Sequence, residues 1–502
     1  MTVVIEARLY NRKNQEPHRA THSPDGTHYR CAWIEDSITI HSDGNISCGL
    51  DDPHGQRSFG NIRTQSVAEI FANPEYRRVQ EALWRGRRCM QCGHYRPERR
   101  PDQQINARPA LPTRLVVETT VTCNIRCPNL PCFANNDPNE TTRDEKMLSL
   151  ETFSRMVDEL APNIATVNFY NYGEPFMNRA AEDMLAYLRD KNPDAFIVTS
   201  TNGIPLSNPA RARKVAAARP NRVTFTISGT DQESYVRYHI GGRFEQAFGG
   251  MANVCAAKRE LGLSRPQVVW RYLVFNWNDS DAEIERAVAM ASEIGVDRLS
   301  LYLTNTPPGS RSIRFSPGSP NFWKYSGLIH LDDEGELNHI YRVALPDSDG
   351  LYPPETLDKF GRIRWTSSRA RLRLPAGGGT MRLAVTSNRT GKLKQPCILH
   401  TPWRQIRIPA YVGQWNDVEI PVPSRFLEHR WIECELTVPG HWYPAENPTS
   451  NDLRCLGVMV RDDPGLNAAA SAGRTLALPA ALDPQRAATA PDYLHVLPRH
   501  VA

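Results

Sequence analysis

The chain has 502 residues, with 60 basic and 55 acidic side chains. Its net charge of +5 gives no reason to expect nucleic acid as the main partner, and its length allows two or three domains. No apolar signal-like segment opens it and no run approaches the roughly 18 apolar residues of a membrane span, so the expectation is a cytoplasmic protein without one.

The first region, residues 25–100, opens with a hairpin pattern from Ser37 to Cys48. Ile38 and Ile40 alternate, a Ser-Asp-Gly-Asn turn follows, and Ile46 lies on the return. Ser66 and Glu69 form a capping box ahead of a helix that leads towards Cys89-Met-Gln-Cys92. Cys31, Cys48, Cys89 and Cys92 can together complete a closed four-thiolate site, and from spacing alone both zinc and iron–sulfur fit it. The basic stretch Arg85–Arg100 reads as a solvated or cluster-flanking surface.

The second region, residues 112–306, alternates strand and helix patterns. Strands are expected at Leu115–Thr120, Thr166–Tyr170, Phe196–Ser200, Arg222–Ile227, Val268–Phe275 and Arg298–Leu303. Between them lie amphipathic helices. Ser149–Leu160 carries Leu150, Phe153, Val157 and Leu160 on one face, and Asp281–Ile294 carries Ile284, Val288, Ala291 and Ile294. This repeat indicates a parallel sheet or an open barrel, with ligands gathered at the C-terminal strand ends. Directly after the first of these strands comes Cys123-Asn-Ile-Arg-Cys127-Pro-Asn-Leu-Pro-Cys132. Three soft thiolates converging on one point favour an iron–sulfur cluster or zinc over hard cations. A four-iron cluster held by three cysteines keeps one iron open to a small molecule.

The third region, residues 350–463, has short strand patterns punctuated by proline, glycine and asparagine, and reads as a β-sandwich. Trp365, Trp403, Trp415, Trp431, Trp442 and Tyr443 offer either faces for sugar rings or packing for the sandwich. Residues 464–502, rich in alanine, proline and arginine, read as a disordered tail. Cys255, Cys397, Cys434 and Cys455 stand singly, as small buried hydrophobes do.

With these pieces placed, the middle region resembles the radical S-adenosylmethionine (radical SAM) enzymes. Four fragments carry the resemblance: Cys123-Asn124 with Arg126-Cys127-Pro128 and Cys132, Tyr172-Gly173-Glu174-Pro175, Thr201-Asn202-Gly203, and Ser228-Gly229-Thr230-Asp231. They occur in the family's order, each at a strand end. The resemblance implies an α/β fold, a partial (β/α)6 barrel. It implies a [4Fe-4S] cluster on Cys123, Cys127 and Cys132, whose fourth iron binds S-adenosylmethionine. It further implies that Gly173 and Glu174 lie along the methionine amine, that Ser228 contacts the ribose or methionine portion, and that Asn278 reaches the adenosine. Reductive cleavage to a 5′-deoxyadenosyl radical and hydrogen abstraction from a substrate would follow, with flavodoxin or ferredoxin as electron donor. The cluster loop departs from the family's spacing by two residues before Cys132, and Pro128 and Pro131 fix the resulting bulge.

The first region resembles a SPASM module, which implies an auxiliary [4Fe-4S] cluster on Cys31, Cys48, Cys89 and Cys92. Such modules normally follow the barrel, and here the module precedes it. The third region is similar to a sandwich found with bacterial glycosyltransferases. A carbohydrate or glycan-linked substrate is therefore the leading expectation, with the reaction type (oxidoreductase, epimerase or dehydratase) left open. His239, in Tyr238-His-Ile-Gly-Gly242, reads as a structural replacement in that run, with a substrate contact or acid/base group as the alternative, and Cys255 is a candidate hydrogen donor. Two alternatives stand beside this reading: a peptide-modifying SPASM enzyme, and a zinc-stabilised carbohydrate-binding protein without catalysis.

Overall fold

The computed structural model describes residues 28–47, 58–87, 96–97, 111–128, 143–304, 307, 309–330, 346–387, 395–446, 452–462 and 475–476. The chain divides into two units, residues 1–271 with 286–298, and residues 272–285 with 299–502.

The N-terminal segment runs β1 (Tyr29–Arg30), α1 (Ala32–Asp36), β2 (Ser37–Ile40), β3 (Asn45–Ser47), β4 (Gly60–Asn61), α2 (Val67–Phe71), α3 (Pro74–Trp84) and β5 (Arg96–Pro97). The hairpin expected from Ser37 onward is present, with Thr39 opposite Ser47 and Ile40 opposite Ile46. Ser66 caps α2 in the reciprocal box with Glu69 that the sequence predicts. Asn73 caps α3, whose first helical residue is Pro74, a position where the missing N–H costs nothing.

From Arg114 strand and helix alternate: β6 (Arg114–Val117), α4 (Leu150–Leu160), β7 (Thr166–Asn168), α5 (Ala181–Lys191), β8 (Phe196–Thr201), α6 (Pro209–Ala217), β9 (Arg222–Thr226), α7 (Gln232–Val236), α8 (Phe244–Glu260), β10 (Gln267–Val274), α9 (Asp281–Ile294) and β11 (Arg298–Leu303). The sheet of the first unit has the order β10-β9-β8-β7-β6-β2-β3-β4. Strands β2 and β6 to β10 are parallel, and β3 and β4 continue antiparallel. This is the α/β sheet that the alternating pattern predicts.

One pairing was not foreseen. Ser37 to Ile40 run parallel to Arg114 to Val117, so the N-terminal hairpin extends the same sheet beyond β6. All four residues of β2 are buried, as a strand inside a parallel sheet requires. The helices keep the expected apolar faces with two slips of register. On α4 the buried set is Phe153, Met156, Val157 and Leu160, while Leu150 is 37% exposed. On α9, Ala287 is buried and Val288 is 41% exposed. A 3.6-residue repeat permits either neighbour on such a face.

The second unit carries two antiparallel sheets. One has the strands β12 (Glu355–Leu357), β13 (Gly361–Trp365), β15 (Thr380–Thr386), β18 (Asn416–Pro421) and β20 (Met459–Arg461), and the other β14 (Arg369–Pro375), β16 (Cys397–His400), β17 (Gln405–Ile408) and β19 (Trp431–Thr437). Leu372, Leu374, Ile432 and Leu436 of one sheet and Met381, Leu383, Val385 and Ile420 of the other share a single apolar core. Trp365, Trp403, Trp415 and Trp442 take part in packing. Trp365 is buried with Trp442 edge-on to it, Trp403 stacks on Phe426, and Trp415 meets Phe360. The expected disordered tail lies outside the described residues except for β21 (Thr475–Leu476), which pairs with Trp431 and Ile432 and so corrects that expectation locally.

Candidate functional site

The loop that follows β6 is built on a buried polar base. Glu118, the first residue beyond the strand, is fully enclosed and accepts from Arg143 Nε at 2.8 Å and Nη2 at 3.2 Å. Ser42 N and Asn171 Nδ2 also donate to it, at 3.1 Å each. Arg143 Nη2 reaches on to His41 Nδ1 at 2.7 Å, and the other ring nitrogen of His41 meets Ser47 Oγ at 2.9 Å. Burial works against the Glu118 carboxylate, yet the His41 ring and the Arg143 guanidinium beside it outweigh burial and hold its pKa at about 2. This network ties the N-terminal hairpin to the base of the cysteine loop. Nothing in the sequence marks it, because residues 41, 118, 143 and 171 are far apart.

The next strand end fits against this loop. Gly173 has φ +82°, and a Cβ there would lie 2.4 Å from Thr120 O and 2.8 Å from Thr122 O, so only glycine allows the approach. Glu174 N donates to Thr122 O at 2.8 Å. The Glu174 carboxylate turns inward and accepts from Thr201 Oγ1 (2.7 Å), Asn202 N (2.7 Å) and Phe176 N (3.2 Å). Burial pushes its pKa up to about 7 against those bonds. Asn202 in turn donates to Asn124 Oδ1 at 2.7 Å and lies 3.7 Å from Cys123 Sγ. Helix α8 closes behind this turn, where a Cβ at Gly250 would come 2.0 Å from Gly203 O. The Thr-Asn-Gly fragment was the signal for Asn202, although its contact with Cys123 was not legible.

The third support comes from the segment after α7. Arg126 N donates to Ile240 O at 2.9 Å, which places His239 beside Cys127. His239 is 1% exposed, with Nδ1 3.5 Å from Cys127 Sγ and Nε2 accepting from Ser228 N at 3.2 Å. Burial lowers its pKa to about 3. Both ring nitrogens are engaged, and the enclosed ring stands beside a loop cysteine. Tyr235 stacks on it at 4.6 Å.

The structure thus brings together Cys123, Cys127, Gly173, Glu174, Ser228 and His239 at the C-terminal strand ends. Cys132, Cys48, Cys89 and Cys92 lie outside the described residues. Cys31 is buried at the head of α1, where its carbonyl accepts from Ile34 and Glu35. Asn278 belongs to the second unit, where its amide closes its own turn by accepting from Phe275 N at 2.7 Å and donating to Leu273 O at 3.1 Å. Cys255, the candidate hydrogen donor, is buried, burial pushes its thiol up to about 12, and its charged surroundings are Asp297, Arg259 and Lys258. Asp297 bonds Val268 N at the start of β10, the end of the strand opposite to the cysteine loop.

Residues 117–284 match the family model of the radical SAM superfamily, and residues 31–93 match that of an iron–sulfur cluster-binding domain, SPASM. The chain carries a radical SAM enzyme domain, preceded by a SPASM module. The first implies a [4Fe-4S] cluster with S-adenosylmethionine, the second an auxiliary iron–sulfur cluster. The chain is 28% identical over 157 residues to a GTP 3′,8-cyclase of Mycobacterium sp. (strain KMS), covering 31% of this chain and 42% of that protein. It is 29% identical over 130 residues to the FeMo cofactor biosynthesis protein NifB of Chlorobaculum tepidum, covering 23% and 30%. It therefore spans less than half the length of these relatives. Among solved structures, Streptococcus suis SuiB bound to precursor peptide SuiA superposes with a TM-score of 0.30 at 16% identity, covering 38% of this chain and 39% of that one. Among the described residues, no helix is long and apolar enough to cross a membrane.

The surroundings of Cys123 and Cys127 fit a cluster. Both thiols are partly exposed, and thiolates suit iron. The Tyr235 hydroxyl is buried without a hydrogen-bond partner among the described residues. Burial first, then the neighbouring Cys127 and Cys123 thiols, raises its pKa well above the usual phenol range. A buried hydroxyl without a partner, near two thiols, fits a site that a bound group completes.

Proposed function

We propose that this chain cleaves S-adenosylmethionine reductively and uses the product to remove a hydrogen atom from a substrate carbon. The observation that carries the reading is the seating of two partly exposed thiols, Cys123 and Cys127, at parallel strand ends against Asn202 and His239. Cys123, Cys127 and Cys132 would hold the cluster, which would supply the electron for the reductive cleavage. The chain's own residues bind and orient. Gly173 brings backbone close to the methionine end. The Glu174 carboxylate, with three hydrogen bonds already accepted, keeps one lone-pair direction for an ammonium. Ser228 belongs to the same reading as a ribose or methionine contact, Asn278 as the adenosine contact, and Cys31, Cys48, Cys89 and Cys92 as auxiliary-cluster ligands. The substrate is taken only as far as an unactivated C–H bond, with glycan-linked and peptide substrates as the two expectations.

The test is anaerobic reconstitution followed by an assay for 5′-deoxyadenosine with S-adenosylmethionine and dithionite. Slow release is expected from the wild-type chain and none from Cys123→Ala, Cys127→Ala or Cys132→Ala. Zinc retained in place of iron, or iron without cleavage, would refute the proposal. Panels of glycans and of peptides, scored by faster release, then separate the two substrate expectations.

A further inference from the structure

We infer that His239 is a positioning residue that donates an N–H···S hydrogen bond to Cys127 and so makes the cluster held there easier to reduce. This rests on the proposed cluster at Cys123, Cys127 and Cys132. The geometry decides the direction of the bond. Ser228 N–H is a backbone donor, and it points at His239 Nε2 from 3.2 Å. Nε2 must therefore accept, and the ring proton of the neutral imidazole sits on Nδ1. That nitrogen lies 3.5 Å from Cys127 Sγ, within reach of sulfur.

The ring has little freedom to turn away. Tyr235 stacks on it at 4.6 Å with an interplanar angle of 24°, and Tyr238 meets it edge-on at 5.0 Å. His239 N donates to Tyr235 O at 3.0 Å, and Gly242 N returns to His239 O at 2.9 Å. A Cβ at Gly242 would strike the Tyr235 ring at 2.8 Å, so glycine there lets the ring lie against the histidine. The Arg126–Ile240 backbone bridge fixes the segment to the cysteine loop itself. A donor aimed at a ligating thiolate withdraws charge from it and stabilises the more negative, reduced cluster. The consequence is a higher reduction potential for the cluster that must accept the electron.

Two variants isolate this bond. Both His239→Phe and His239→Asn remove the acceptor of Ser228 N–H, but asparagine places an amide N–H near the position of Nδ1. The measurement is a redox titration followed by electron paramagnetic resonance, on the reconstituted full chain, of the cluster signal that changes when S-adenosylmethionine is added. His239→Phe is expected to shift the oxidised-to-reduced ratio about tenfold towards oxidised, a fall of ~59 mV for one electron. His239→Asn is expected to stay near the wild type. In protein containing isotopically labelled histidine, nitrogen hyperfine coupling to this cluster is expected in the wild type. Equal shifts in both variants, or an unchanged potential and no coupling, overturn the inference while leaving the cluster in place. A wild-type chain with no cluster that responds to S-adenosylmethionine overturns the proposed function along with it.

Discussion

The loop cysteines Cys123 and Cys127 and the cysteines of the second unit meet opposite surroundings. Cys123 and Cys127 are partly exposed on a loop, flanked by Asn202 and His239, with backbone and side-chain polar groups around them. Cys397, Cys434 and Cys455 are buried in the second unit, and burial pushes each thiol up to about 12. A thiol ligates metal as the thiolate, so the first pair is chemically available and the second set is packing material. Around the cysteine loop the first unit encloses Glu118, Arg143, Glu174 and His239 and satisfies them with hydrogen bonds. The second unit encloses Arg364 and Tyr352, which donate to backbone carbonyls, beside the aliphatic core of its two sheets.

The largest expected effect tests the polar base. Arg143→Met strands the Glu118 carboxylate and should cost ~3–5 kcal/mol, read by urea denaturation. Adding Glu118→Gln to that variant should recover much of the loss, because the stranded charge is then gone. An equal cost in both would show that packing rather than charge matters there. The pH dependence has a definite sign. The folded pKa of Glu118 is held at about 2, below the roughly 4.3 of a free glutamate. Its stabilisation is therefore complete above about pH 4.3 and is lost as pH falls towards 2. Denaturation midpoints across that window should drop for the wild type, and Glu118→Gln should lack this component.

A smaller effect is expected at Gly173. Gly173→Ala forces a Cβ against Thr120 O with φ at +82°, for roughly 1–3 kcal/mol of strain. The loop should yield first, so iron content ought to fall more sharply than the denaturation midpoint. Smaller still is Cys434→Ala in the second unit, which removes one buried sulfur for about 1 kcal/mol. Iron loss in that variant would break the distinction between the two sets of thiols.

The strand ends were legible because each carries its fragment in a few contiguous residues: the cysteine loop, Gly173-Glu174, Thr201-Asn202-Gly203 and Ser228. The alternation of strands and helices was legible for the same reason. What escaped depends on residues distant in sequence. That β2 pairs with β6 rests on long-range register between residues 37–40 and 114–117. The orientation of His239 depends on Ser228 N–H, Tyr235 and the Arg126 bridge acting together. The packing of Trp365, Trp403, Trp415 and Trp442 rests on neighbours in the second unit that composition does not mark.

The most direct test counts iron and acid-labile sulfide in reconstituted protein across the two sets of cysteines. The wild type should hold about eight irons, as two four-iron clusters require. Cys123→Ala with Cys127→Ala should hold about four, and the combined Cys397→Ala, Cys434→Ala and Cys455→Ala chain about eight. Undiminished iron in the Cys123/Cys127 variant, or iron lost from the second-unit variant, would contradict the assignment of the open cluster to the strand-end loop.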